Sequence, residues 1–174
     1  YQITFTDDSG FTSASAGNEI NKVTQDVTIT ITGTNDSPEI DSSNTVTLNE
    51  SDVALSTSGT VTVSDVDLTD EVTIASSLVV SGTSNRSDVD APSDAELYAM
   101  FVTNPLTDIL DGTQTSNTLS WSFDSDTEVF DYLAEGETLV LTYTLTATDD
   151  DGTPLSGSKT VTITIAGSND VATI

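Results

Sequence analysis

At 174 residues, 35% of them apolar, the chain has material for a hydrophobic core, yet it sets 29 Asp and Glu against 3 Lys and Arg, a formal charge of -26. A surface of that sign repels nucleic acid and anionic membranes, which excludes both as partners. Cys and His are both absent, which excludes disulfides, zinc or thiolate sites, and every Ser-His or Cys-His nucleophile.

The predicted elements follow a period of two. Tyr1 to Gly10, YQITFTDDSG, reads as a strand running into an acidic turn, and Val27, Ile29 and Ile31 alternate with Thr28, Thr30 and Thr32 as its partner strand. Further strands are predicted near Thr45–Leu48, Thr60–Ser64, Val72–Val80 and Thr118–Asp124. An insertion from about Thr83 to Asn117 interrupts them. Within it Ser93 and Glu96 have the spacing of a capping box, and Leu97, Met100 and Phe101 follow at helical spacing, which predicts a short helix. A second helical turn is expected at Thr127–Leu133, with Phe130 and Leu133 inward, and Trp121 is expected in the core rather than as a sugar platform. The last two strands are the clearest: Leu139, Leu141, Tyr143, Leu145 and Ala147 share one face, as do Val161, Ile163 and Ile165. Short alternating strands between Gly and Asp turns predict an all-β, immunoglobulin-like antiparallel β-sandwich with a short helical insertion. No apolar run is long enough to span a bilayer, and no basic-then-apolar leader stands at Tyr1.

The chain also repeats itself. Val27–Ile40, VTITITGTNDSPEI, returns as Val161–Ile174, VTITIAGSNDVATI, and the strand and acidic turn of Tyr1–Gly10 return as Tyr143–Gly152, YTLTATDDDG. A period the size of a small domain indicates sandwich repeats in tandem. The expected division is 1–36 as the C-terminal hairpin of an incomplete preceding repeat, 37–170 as a complete repeat, and 171–174 as the start of the next linker. In that hairpin Tyr1, Ile3, Phe5, Val27, Ile29 and Ile31 make an apolar face with nothing in the chain to cover it. Completion by a preceding segment, or by strand exchange with a neighbouring copy, is therefore expected.

Topology predicts where the acidic residues gather. In a sandwich of about seven strands the loops after strands two and six meet the incoming linker at one end. That end collects Asp65, Asp67 and Asp70, then Asp149, Asp150 and Asp151, beside Asn35 and Asp36. The opposite end collects Glu50, Glu135 and Glu137 with Asn169 and Asp170 of the outgoing linker, and Asp7 belongs to the earlier acidic turn. Crowded carboxylates repel one another unless a cation joins them. Calcium accepts about six to eight oxygen ligands with tolerant geometry, which suits loops of Asp, Asn and Gly, whereas magnesium demands a stricter octahedron. The competing reading is a set of solvated acidic turns with Asx capping. An EF-hand is not matched, because no closing Glu follows Asp149 at its spacing.

The runs GTVTVSDVD, FDYLAEGETLVLTYTLTATDDDGTP and VTITIAGSND resemble the VCBS and bacterial cadherin-like repeats of giant surface adhesins, many of the RTX type. The resemblance spans most of Val46–Asp170, with Tyr1–Pro38 as a second partial copy. It implies a calcium-stapled, cadherin-like sandwich in a protein secreted by a Gram-negative type I system, extending an adhesive tip from the cell and supporting adhesion or biofilm formation. It places calcium ligands at Glu50, at Asp65 and Asp67, at Asp149 and Asp151, and at Asn35 and Asp36 or Asn169 and Asp170 of the linkers. Additional candidates are Asp7, Asp70, Asp150, Glu135 and Glu137. The longer acidic string of true cadherin linkers is missing, and the insertion around Ala91–Gly112 has no counterpart in the short members.

Three functional classes compete on these residues. One is a non-catalytic extender stiffened by calcium and bonded to adjacent repeats of the same protein. Another is a glycan- or peptide-binding module that uses Tyr98, Met100 or Phe101 of the insertion. The third, a carboxylate-only hydrolase, has Glu135 and Glu137 as its one close pair, on a turn beside Gly136, and is set aside.

Overall fold

Alternation at period two is what assembles the sandwich. The computed structural model describes residues 28–105 and 107–169, and it divides into a unit ending at Gly33 and one beginning at Thr34. In the second unit the chain forms β1 (Glu39–Ile40), β2 (Asn44–Asn49), β3 (Ser56–Ser64), β4 (Glu71–Gly82), α1 (Asp94–Ala99), β5 (Phe101–Asn104), β6 (Leu110–Asp111), β7 (Ser116–Asp124), β8 (Thr138–Asp149) and β9 (Ser156–Ala166). One sheet has the order β1-β3-β7-β5 and the other β2-β9-β8-β4-β6. This is an all-β, immunoglobulin-like sandwich.

The inner faces carry the core. Leu139, Leu141, Tyr143, Leu145 and Ala147 of β8 meet Val161, Ile163 and Ile165 of β9 on one side, and Val61, Val63, Leu119, Trp121 and Phe123 of β3 and β7 oppose them. Burying each such side chain stabilises the fold by about 1.5–3 kcal/mol relative to exposure. Phe101 of β5 stacks on Tyr143 with ring centroids 4.2 Å apart and on Trp121 at 5.9 Å, so the aromatics tie the two sheets together. Trp121 is a core residue, as expected.

The helix forms where its local signal lies. The Ser93 hydroxyl accepts from Glu96 N–H while the Glu96 carboxylate accepts from Ser93 N–H, which completes the capping box. Leu97 is fully buried beneath it, and the Tyr143 hydroxyl donates to the Leu97 carbonyl at 2.7 Å. The helix stops at its cap, Met100, and the Phe101 predicted to continue it starts β5 instead, with its ring in the core. The reading of Phe101 as an exposed binding residue is thereby corrected.

Three other expectations change. Thr127–Leu133 makes turns rather than a helical turn: Phe130 has φ of 66°, and Glu128 folds back to accept from Phe130 N–H, a local bond that competes with helix. Phe130 and Leu133 still face inward, both fully buried. Among the described residues every ladder is antiparallel except β2 on β9, which is parallel. The chain leaves β1 in one sheet and enters β2 in the other, with Asp41 accepting from Thr62 N–H at the point of departure. Residues 28–33 form no strand, and Ile29 and Ile31 are 72% and 90% exposed. Tyr1–Val27, Asp170 and the linker 171–174 lie outside the described residues, so the predicted hairpin partner and Asp7 do as well.

Candidate metal centre

The inward phase of two strands runs past the core into carboxylates. In β3 the buried positions Val61 and Val63 are followed in the same phase by Asp65, and in β8 Leu145 and Ala147 are followed by Asp149. The strands belong to different sheets but end together, so two nearly buried carboxylates, 3% and 4% exposed, meet in the mouth of the sandwich. Asp67 and Asp70 enter from the loop after β3, and one carboxylate oxygen from each of Asp65, Asp67 and Asp70 lies within 4.8 Å of the others.

The linker closes over this group. Asn35 donates its side-chain amide to the Asp149 carboxylate at 3.2 Å and to the Thr153 carbonyl at 3.3 Å, and Asp36 N–H donates to the Asp67 carboxylate at 2.8 Å. Asp149 also accepts from Leu155 N–H and Asp151 N–H, which rolls the TDDDGTP turn inward. Asp150 points elsewhere, accepting from Glu71 N–H on the outside of the sandwich. An open cavity of about 760 Å³ lies alongside, bordered by Asp36, Glu39, Asp65, Thr115 and Ser116.

Three buried oxygens at this end, Asn35 Oδ1, Asp65 Oδ2 and Asp70 Oδ2, have no hydrogen-bond partner. Leaving buried polar atoms unpaired costs about 1–3 kcal/mol each, more when charged. The described residues hold one salt bridge, Arg86 to Asp94, and it lies outside the cluster. Carboxylate and amide oxygens with spare lone pairs are the ligands a calcium ion takes, so the residues fit that ion.

The opposite end repeats the device in a smaller form. Glu50 continues the inward phase of Val46 and Leu48, is 2% exposed, and accepts from both the backbone N–H and the hydroxyl of Ser168 through Oε2. Its Oε1 is buried and unpaired. Glu137 accepts from Ala134 N–H and holds Gly167 through its carbonyl, while Glu135 is exposed and Asn169 is exposed in the outgoing segment. Ser168 was missed by sequence reasoning, because only the β2–β9 register shows that it faces Glu50. Asp70, an additional candidate by sequence, stands with Asp65 and Asp67.

Titration reflects the crowding. Burial raises the Asp65 carboxyl above the ordinary Asp range, with repulsion from Asp67 and Asp149 adding to it, and burial followed by repulsion from Asp65, Asp67, Asp149 and Asp151 raises Asp70. A carboxyl whose pKa is raised by folding destabilises the ionised native state, and that penalty is released as pH falls through the raised value. In chelator, the protein is therefore expected to gain stability on acidification from neutrality toward the pKa values of Asp65 and Asp70. Further acidification reverses the gain, as Asp41, Glu96 and Asp111, held low by hydrogen bonds, become protonated. Urea titrations across that pH range, with and without calcium, check this; a metal-free protein that only loses stability on acidification contradicts it.

No protein-family model and no curated protein sequence matches the chain. Among solved structures it is similar to the ASH/PapD-like domain 7 of human CEP192, at 12% identity and a TM-score of 0.46, covering 86% of this chain and 98% of that one. It is similar to the periplasmic chaperone SfaE at 14% identity and 0.41, covering 78% of this chain and 59% of the chaperone. It is also similar to AggA, the major subunit of aggregative adherence fimbriae type I of Escherichia coli, at 15% and 0.39, covering 74% and 93%.

Proposed function

We propose that this chain is a non-catalytic calcium-binding extender repeat of a secreted bacterial surface adhesin, stiffened by Ca2+ where one repeat joins the next. The observation that supports it most is the set of three unpaired buried oxygens contributed by the linker, through Asn35, and by the loop after β3, through Asp65 and Asp70. An ion ligated by these atoms and by Asp67 and Asp149 would fasten the incoming linker to the mouth of the sandwich. Glu50 serves the outgoing junction in the same way. Among the described residues no helix is long and apolar enough to cross a membrane.

Isothermal titration tests the assignment. Asp67→Ala is expected to weaken calcium binding at least about tenfold by removing a charged ligand while sparing the core, and Glu50→Ala is expected to leave that site intact. An Asp67→Ala protein that binds as many ions as the parent with unchanged affinity overturns it. A second reading, a strand-exchanging subunit of an extracellular filament, is favoured by the exposure of Ile29 and Ile31 in the alternating run VTITIT. Sedimentation separates the two: concentration-dependent growth that persists in chelator belongs to strand exchange.

A further inference from the structure

Three asparagines in the described residues stand in N-x-Ser triplets: Asn35-Asp36-Ser37, Asn49-Glu50-Ser51 and Asn85-Arg86-Ser87. In a chain this rich in Ser and Thr such triplets arise often by composition, so the motif alone distinguishes none of them. Local geometry does. The Asn35 amide nitrogen is already donated to Asp149 and Thr153, and the residue is half-buried within the carboxylate cluster. Asn49 is the last residue of β2, paired with Ala166, and its triplet runs through Glu50, which is buried against Ser168.

Asn49 and Ser51 are exposed, as Asn85 and Ser87 are, but Asn49 is held in the β2–β9 ladder, whereas Asn85 stands in a loop. It lies in the 83–90 loop that leaves β4, where Asn85 and Ser87 are exposed and Ser84, Arg86 and Asp88 are half-buried. Its side-chain oxygen accepts from Ser87 N–H at 3.2 Å, and its own carbonyl accepts from Asp88 N–H at 3.1 Å, so the triplet is folded into an Asx turn over a backbone turn. Oδ1 is taken by Ser87 N–H, and among the described residues no protein acceptor holds the amide nitrogen Nδ2, which faces solvent. Arg86, between them, is anchored by Asp94 at 2.8 Å, which fixes the loop against α1.

We propose that Asn85 is an acceptor for N-linked glycosylation, with Ser87 as the hydroxyl that the transferase reads. The donor is a sugar activated by a diphosphate leaving group, carried on a nucleotide or a lipid. A bond forms between Asn85 Nδ2 and the anomeric carbon as the bond from that carbon to the diphosphate oxygen breaks. The diphosphate leaves with the electron pair, and the amide nitrogen gives up one proton to a base of the transferase. The inference rests on the proposed extracellular reading for its biological setting, whereas acceptor competence depends on the loop alone.

The test uses the folded, calcium-loaded chain with a purified soluble N-glycosyltransferase that recognises N-x-Ser/Thr, and UDP-glucose, read by peptide mapping. One hexose is expected, at Asn85, with occupancy at least about tenfold lower at Asn35, whose amide bonds must break first, and at Asn49, whose backbone must leave the β2–β9 ladder. Asn85→Gln and Ser87→Ala remove the hexose; Ser87→Thr retains it. Ser87→Ala keeps the backbone N–H of the turn, so its loss of transfer reports the hydroxyl and not a collapsed loop. Urea-unfolded chain serves as the control that all three triplets are chemically competent. Transfer to unfolded but not folded Asn85 overturns the proposal and does not bear on calcium binding; equal occupancy of Asn35 and Asn85 in the folded chain also overturns it, and in addition counts against Asn35 as a calcium ligand.

Discussion

Excess chelator is expected to lower the melting temperature by about 8 °C for each calcium site emptied. With a site of about 0.1 mM affinity in about 10 mM calcium, binding to the native state alone contributes roughly 2.7 kcal/mol. For a domain of this size each kcal/mol moves the midpoint by about 3 °C. The physical origin is the mouth of the sandwich, where Asp65, Asp67, Asp70 and Asp149 converge and where Asn35 Oδ1, Asp65 Oδ2 and Asp70 Oδ2 have no protein donor. Without an ion these carboxylates repel one another and resist burial; with the proposed ion bound, the same atoms would serve as its ligands. Calorimetry in calcium and in chelator decides the matter, and an unchanged midpoint rules out a metal centre.

Replacement of Tyr143 is expected to be the most damaging single change in the core. Its ring lies 4.2 Å from that of Phe101, it is fully buried, and its hydroxyl is the partner of the Leu97 carbonyl. Tyr143→Ala removes the ring that joins β8 to β5 and leaves a cavity, at a cost of about 3–5 kcal/mol. Tyr143→Phe keeps the ring but strands a buried carbonyl, at about 1–3 kcal/mol. The difference between the two, measured by urea unfolding, apportions packing and hydrogen bonding. A Tyr143→Phe protein as stable as the parent means that the Leu97 carbonyl finds another partner.

The calcium and core effects meet on the same strands. β8 carries Tyr143 into the core and Asp149 into the acidic mouth, two residues that differ only in how far along one inward-facing row they stand. Calcium bound at the mouth, as proposed, would therefore be read out as stability of the whole sandwich.

What was legible in the chain is what depends on near neighbours. Period-two alternation marks β3, β7, β8 and β9 because each strand buries one face whatever its partner, and the Ser93–Glu96 box marks α1 because both of its bonds close within three residues. The same phase, carried one step beyond the core, already places Asp65, Asp149 and Glu50 on the inside. The tertiary structure alone decided the rest, because those outcomes depend on hydrogen-bond partners distant in sequence. Nothing local says that β2 should cross to the other sheet and lie parallel to β9, that Phe101 should leave helical spacing to stack on Tyr143, or that Ser168 should meet Glu50. Asp70 and Asp150 read alike as acidic loop residues; only the assembled mouth turns Asp70 into the cluster and Asp150 out to Glu71. A side chain's face is set by the backbone beside it, whereas its neighbour across the sheet is set by the fold.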